Sequence, residues 1–300
     1  MSGVEGIVEG VEVVAAPGPE QRAAVGALLQ RAAEADGKAA VSEQGRLALR
    51  GPREGVRHLL QDDGSAGLVG YAQVDAEGTA ELVVDPARRR RGYGRALAAA
   101  VSGAGARQVW AHGGHPAARR LADEFGLVLS RELRQMRRSL PVDVDPVLPP
   151  GVVLRTFVPG QDDAAWLALN AAAFAHHPEQ GSWTQRDLSE RIAEPWFDPA
   201  GFFLAERDGR LVGFHWTKTE GGLGEVYVVG VSPDEQGSGL GRALTATGLR
   251  YLGEVRGLDT VLLYVDADNP AAVRVYERLG FTVHEVDLMY RRPSDGPPLP

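Results

Sequence analysis

Apolar and polar residues alternate along the second half of the chain in patterns that predict most of its elements. Val152 to Phe157 alternates with the period of two that a half-buried strand requires. Asp162 to Phe174 carries its apolar residues at helical spacing behind an acidic start. Phe202 to Glu206 and Leu211 to Lys218 read as strands joined through Asp208-Gly209, a dipeptide suited to a tight hairpin, and Glu225 to Val231 reads as a third. Gly239 to Arg256 predicts a helix, Thr260 to Val265 a buried strand, Ala271 to Leu279 a helix, and Phe281 to Tyr290 a closing strand. The order β-α-(α)-β-β-β-α-β-α-β predicts an α+β fold, a mixed central sheet flanked by helices.

The first half repeats the second. Gly67-Leu-Val-Gly70 before Tyr71 answers Arg210-Leu-Val-Gly213 before Phe214. Val83-Val84-Asp85-Pro86, leading into Arg89 to Leu97, answers Gly230-Val231-Ser232-Pro233, leading into Gln236 to Leu244. His115-Pro116-Ala117-Ala118 and Phe125-Gly126-Leu127 answer Asn269-Pro270-Ala271-Ala272 and Leu279-Gly280-Phe281. A period of about 150 residues is too long for a solenoid and means two copies of one domain. Ser139 to Gly151 holds four prolines and cannot sustain a helix or a central strand. The expected division is therefore a first domain over 1–140, a semi-extended linker over 141–151, a second domain over 152–292 and a frayed tail over 293–300.

Composition narrows the function. Of 300 residues, 44% are hydrophobic and 24% charged, enough apolar material for two cores. No apolar run approaches a membrane span, and Met1 to Gly10, with Glu5 and Glu9, lacks the pattern of a secretion signal, so a cytoplasmic, membrane-independent protein is expected, with a monomer as the default. The net charge of −8 argues against a nucleic-acid partner. With no cysteine, thiolate metal sites are excluded; His176-His177 are adjacent and point about 100° apart on a helix, so no metal is expected.

Gln236-Gly237-Ser238-Gly239-Leu240-Gly241-Arg242 lies between a strand and a helix. Glycines there let successive N–H groups face outward at the helix start, which suits a pyrophosphate. No Gly-Lys-Ser/Thr follows, so this is not a Walker loop, and the strands before it are hairpin-like rather than β-α-β.

This loop, followed by the Asn269, Ala272, Tyr276, Gly280 and Phe281 block, resembles the GCN5-related N-acetyltransferase (GNAT) family, and the tandem resemblance covers nearly the whole chain. The resemblance implies acetyl-CoA as co-substrate. It places the cofactor on Val229, Gly230, Val231, residues 236–242, Asn269, Ala272 and Arg274. In the first copy it does so on Leu82, Val83, Val84, Arg90, Arg91, Gly92, Tyr93, Gly94 and Arg95, where arginines could pair with phosphates. Val229 to Val231 would offer N–H groups to the thioester carbonyl if a bulge breaks the ladder there.

Acetyl transfer to an amine needs a base for the ammonium proton and a donor for the departing thiolate. By the resemblance, Glu225 is the base, with an apolar strand raising its pKa toward neutrality, and Tyr276 is the acid. Tyr276 lies two helical turns past Asn269, on the same face. Aligning Gly92 with Gly239 sets Gly78 opposite Glu225, and aligning Pro116 with Pro270 sets Ala122 opposite Tyr276. The first copy is thus expected to be non-catalytic.

Ala173 to Gly181, Glu194 to Pro199, Gly213 to Lys218 and Gly224 to Val231 are similar to a tandem branch of that family, whose members acetylate the cysteinyl α-amine of cysteinyl-glucosaminyl-inositol. That likeness implies acceptor contacts at Asp36, Glu179, Lys218, Glu225 and Tyr264. Other small amines as acceptors, or an acetyl-CoA-binding regulator without turnover, are the competing readings. Of the tryptophans crowding the second copy, most are expected in the core and one or two on the acceptor cleft.

Overall fold

Two short strands, β1 (Val4–Val8) and β2 (Val11–Val14), precede the first long helix, α1 (Pro19–Asp36), in this computed structural model, which describes residues 4–8, 10–64, 67–177 and 180–293. Pro19 suits the first helical position because its missing N–H would go unpaired there. The Gln21 side chain accepts from the Gly18 amide at 2.8 Å, and Gly37 ends the helix in the left-handed region. Next come α2 (Glu43–Ala48), β3 (Arg57–Asp62), β4 (Leu68–Val74), β5 (Thr79–Val84), α3 (Tyr93–Gly103), β6 (Gln108–Ala111), α4 (Pro116–Glu124) and β7 (Val128–Ser139). The second half runs β8 (Val152–Thr156), α5 (Asp163–Ala173), α6 (Gln185–Ile192), β9 (Phe202–Arg207), β10 (Arg210–Glu220) and β11 (Leu223–Val231). It continues through α7 (Leu240–Arg250), β12 (Thr260–Asp266), α8 (Pro270–Arg278) and β13 (Thr282–Arg291).

The chain divides into two compact units, Met1–Leu133 with Glu285–Pro300, and Arg134–His284. In the first, the strand order is β1-β2-β3-β4-β5-β6-β13; in the second it is β7-β12-β11-β10-β9-β8. In the first unit every pair is antiparallel except β5–β6; in the second β11–β12 is parallel and the pairs from β11 through β8 are antiparallel. Alternating side chains send one sheet face of the second unit to an aromatic core under α5 and α6, and the other to an aliphatic core under α7 and α8. The first unit likewise packs α1 on one face and α3 on the other.

The compact units are bounded elsewhere than the expected 140 and 152–292. The last strand does not close the second copy: Leu288 to Arg291 pair antiparallel with Ala111 to Gln108, so this stretch belongs to the first unit. Residues 134–139 of β7 belong to the second. The proline-rich stretch packs where it begins: Leu140 and Val142 are buried in the aliphatic core of the second unit. The helix expected over Gly239 to Arg256 closes as a π-helical turn at Tyr251–Val255. Residues 294–300 of the expected tail lie outside the described residues. No helix among the described residues is long and apolar enough to cross a membrane.

Candidate active site

The loop after β11 has the conformation its glycines predict. Gly237 and Gly239 adopt φ of 81° and 89°, and Gly239 caps α7 with no side chain covering the helix start. Ser238 Oγ donates to the Glu235 carbonyl at 2.7 Å and accepts from the Leu240 amide at 3.3 Å, which fixes the turn. Gln236, Gly241 and Arg242 complete it, Arg242 exposed on the first helical turn. Beside the loop, the parallel pairing of β11 with β12 covers only Gly224 to Val226 against Val261 to Leu263, although both strands continue. The strand ends therefore part next to an uncapped helix N-terminus, a geometry fitted to an extended ligand with phosphates at one end.

The ladder does break in β11, but not at Val229 to Val231. Lys218 pairs with Glu225, Thr217 with Val226 and Trp216 with Val228, which leaves Tyr227 as the extra residue. Val229, Gly230 and Val231 resume regular register with His215, Phe214 and Gly213. Tyr227 is drawn out of the ladder by its partners. Its hydroxyl accepts from Arg191 Nε at 2.7 Å, and its ring stands 4.9 Å from that of Trp196 and 5.3 Å from that of Trp216.

The same register brings three proposed residues together. Lys218 and Glu225 are direct cross-strand neighbours on one sheet face. Glu225 also pairs with Leu262 across the parallel ladder, which puts Tyr264 on that face. Lys218 is 5% exposed, not a solvated strand end; its ammonium lies 4.8 Å from the Trp196 ring centre and 5.6 Å from that of Tyr227, and 3.0 Å from Glu220. Tyr264 is exposed at the ring and its hydroxyl accepts from Gln135 at 2.8 Å. Glu179 lies outside the described residues, though the chain beside it is anchored: buried Asn170 donates to the Gln180 carbonyl at 2.7 Å. The Thr219 to Gly224 insertion is the tip of the β10–β11 hairpin.

On α8, Asn269 serves as the helix cap, accepting from the Ala272 amide at 3.1 Å, while Arg274 is exposed. Tyr276 packs on the aliphatic core with its ring edge-on to Phe281, and burial pushes its hydroxyl pKa up to about 12. Spacing alone did not single out Arg191 or Tyr227; an arginine on an amphipathic helix and a tyrosine in a strand carry no mark of a bulge.

The first unit repeats the frame. Arg90 holds φ of 61° where the other copy has Gly237, and Gly92, at 92°, caps α3 with no side chain over the helix start. Pairing of β5 with β6 covers Thr79 and Ala80 only, so Leu82, Val83 and Val84 run past it. The β4–β5 register is unbroken, so there is no bulge at this place. A cavity of about 580 Å³ opens here, lined among others by Leu82 to Val84, Arg90 and Gly94. Arg91 and Tyr93 flank Gly92 on the same turn, Arg91 exposed. Arg95 points to Glu124 instead, at 2.6 Å. Asp36, expected at the acceptor, is held by Arg89 in a bidentate pair of 2.7 and 2.6 Å, which also keeps its carboxyl below the usual range.

A polar row crosses this sheet. His58, Gln73 and Glu81 are cross-strand neighbours, the positions that register gives to Phe202, Trp216 and Val228 in the second unit. Gln73 donates to Glu81 at 2.8 Å, and His112 bridges Glu81 at 2.7 Å and Asp287 at 3.3 Å. Burial opposes a charged imidazole, but the two carboxylates outweigh it and hold the pKa of His112 at about 9. Lys38 pairs with Asp287 and, at 2.9 Å, with Glu285.

Comparison with known proteins gives this architecture its class. The acetyltransferase (GNAT) family model matches residues 166–281. A tandem GNAT protein from the clavulanic acid biosynthesis pathway superimposes with a TM-score of 0.70 over 95% of this chain and all of that one, at 21% identity. A GCN5-related N-acetyltransferase from Sphaerobacter thermophilus does so at 0.66, covering 98% and 100%, at 26% identity.

Closer relatives narrow the class. A mycothiol acetyltransferase of Streptomyces avermitilis is 64% identical over 95% of this chain and 96% of its own length. Those of Thermobispora bispora and Rhodococcus erythropolis are 57% and 53% identical, over 94% and 89% of this chain and 99% and 95% of theirs. The chain belongs to the mycothiol acetyltransferase family of GNAT proteins.

Proposed function

We propose that the second unit transfers the acetyl group of acetyl-CoA to the cysteinyl α-amine of cysteinyl-glucosaminyl-inositol, completing mycothiol in the cytoplasm, and that it does so as a monomer. The observation that carries this reading is the near full-length identity to relatives named mycothiol acetyltransferase. The splayed β11–β12 pair and the uncapped α7 support a pyrophosphate at residues 236–242.

The thioester supplies an activated acetyl group and a leaving group whose conjugate thiol has a pKa of about 8.5. Glu225 takes the ammonium proton, directly or through water, so that the amine presents its lone pair. An α-amine with a pKa near 8 asks little of that base. Lys218, steadied by Trp196 and Tyr227, and Tyr264 give the sugar and inositol hydroxyls hydrogen-bonding partners on the face that carries Glu225. Tyr276 stays protonated at neutral pH and donates a hydrogen bond to the departing sulfur. The first unit, where the unbroken register sets Thr79 rather than Gly78 at the ladder position of Glu225 and Ala122 stands opposite Tyr276, holds a CoA thioester without turning it over.

The test is a panel of amines incubated with acetyl-CoA while free thiol is followed. Cysteinyl-glucosaminyl-inositol should turn over far faster than aminoglycosides or peptide amino termini. A faster rate on any of those would replace this acceptor.

A further inference from the structure

Which face of the sheet carries Glu225 depends on one extra residue. Val226 is buried in the aliphatic core, whereas Val228 belongs to the aromatic core and Tyr227 packs against it, so the alternation of faces stalls at the bulge. Glu225, next to Val226, therefore faces the aromatic side together with Lys218. In a ladder without the extra residue, with Trp216 still opposite Val228, Thr219 would oppose Glu225 and every side chain before Val228 would change faces. The carboxylate would then enter the side on which Gly224 now lies, where a Cβ on Gly224 would already stand 3.1 to 3.2 Å from Leu252 and Leu258.

Arg191 holds the extra residue. From the last turn of α6 its Nε donates to the Tyr227 hydroxyl at 2.7 Å and its Nη1 to the Asp187 carbonyl at 3.0 Å, and its guanidinium lies 3.9 Å from the Trp183 ring centre. The side chain is buried, so these bonds are made away from water, where a charged donor bonds strongly. The first unit shows the converse. There α2 lies so close over β4 and β5 that a Cβ on Gly45 would stand 1.9 Å from Gln73 Nε2 and 2.5 Å from Glu81 Oε2. That leaves no room for an arginine above an outward tyrosine, and the β4–β5 register is unbroken.

We propose that Arg191 is a positioning residue for acetyl transfer: through Tyr227 it fixes the bulge and so keeps Glu225 directed at the amine. This rests on the reading of Glu225 as the base. Because the slipped register would bury a carboxylate among leucines, losing Arg191 loosens the bulge rather than resetting the ladder. The strand pairing survives, and the fixed direction of a carboxylate two residues away does not. A misplacement of about 1 Å at a reacting group costs up to about 10²-fold in rate.

Tyr227→Phe keeps the ring against Trp196 and removes only the hydroxyl, so it tests the bond without emptying the space that Arg191 fills. Single-turnover acetylation of cysteinyl-glucosaminyl-inositol should slow about tenfold in Tyr227→Phe and about 10–10²-fold in Arg191→Met, with acetyl-CoA affinity retained. The cycle with Glu225→Gln separates positioning from a merely structural part. On that background Tyr227→Phe should slow the reaction by less than about twofold, since the base it would position is gone. An undiminished tenfold loss on the Glu225→Gln background, a parent-like rate in Tyr227→Phe, or a raised acceptor KM at an unchanged rate would each overturn the proposal. A parent-like rate in Glu225→Gln would instead remove the base on which it rests.

Discussion

Tyr276 shows how burial sets the role of a single residue. A hydroxyl pushed up to about 12 is a weaker acid than a thiol near 8.5, so full proton transfer to the sulfur runs uphill, and hydrogen-bond donation is what remains. Losing one such bond is worth about 1–1.5 kcal/mol, so Tyr276→Phe should lower kcat about tenfold and leave the acceptor KM nearly unchanged. Steady-state rates on cysteinyl-glucosaminyl-inositol check this. His112 sets a different limit. Its folded pKa, about 9, lies above the ordinary 6.5, so its stabilising contribution is complete below about pH 6.5 and lost as pH rises through 9. Buried His58 and His215, held down at about 4, act with the opposite sign: stability falls as pH drops from 6.5 toward 4, because only the unfolded chain takes up the proton. Urea midpoints of the first unit, followed by Trp110 emission, should therefore decline on both sides of neutrality, and His112→Gln should flatten the alkaline limb.

At the scale of elements, two copies of one fold carry opposite chemistry along the same row of strands. Phe202 stacks on Trp216 at 4.5 Å in the second unit, while His58 and Gln73 hold those positions in the first. The repeat, the glycine loop, α5, α7, α8 and the strands around them are legible in the sequence, because each depends on neighbours a few residues apart. The bulge is not. It falls at Tyr227 because Arg191, on a distant helix, takes the tyrosine hydroxyl, and no local pattern records that bond. The burial of Lys218 is hidden for the same reason, since Trp196 and Tyr227 reach it only after folding. Asp36 is a further case: the folded unit gives it Arg89 as a bidentate partner, which no local pattern records.

At the scale of the whole chain, the sequence halves and the compact units do not coincide. Residues from Glu285 onward follow the second copy in sequence, yet Asp287 closes the network of Lys38 and His112, and Leu288 and Tyr290 pack in the core with Ala111 and Ala122. Breaking a buried charged network by removing one partner costs about 3–5 kcal/mol, so ending the chain at His284 should damage the first unit rather than the second. Hydrogen exchange would show it: the amides of Gln108 to Ala111, which pair with β13, should lose protection, while those of β9 and β10 keep theirs. The division of labour between the units remains the central claim, and Glu225→Gln tests it most directly. Single-turnover acetylation of cysteinyl-glucosaminyl-inositol should slow by about 10²–10⁴-fold with acetyl-CoA affinity retained. A rate near that of the parent protein would contradict the account and move the proton acceptor elsewhere.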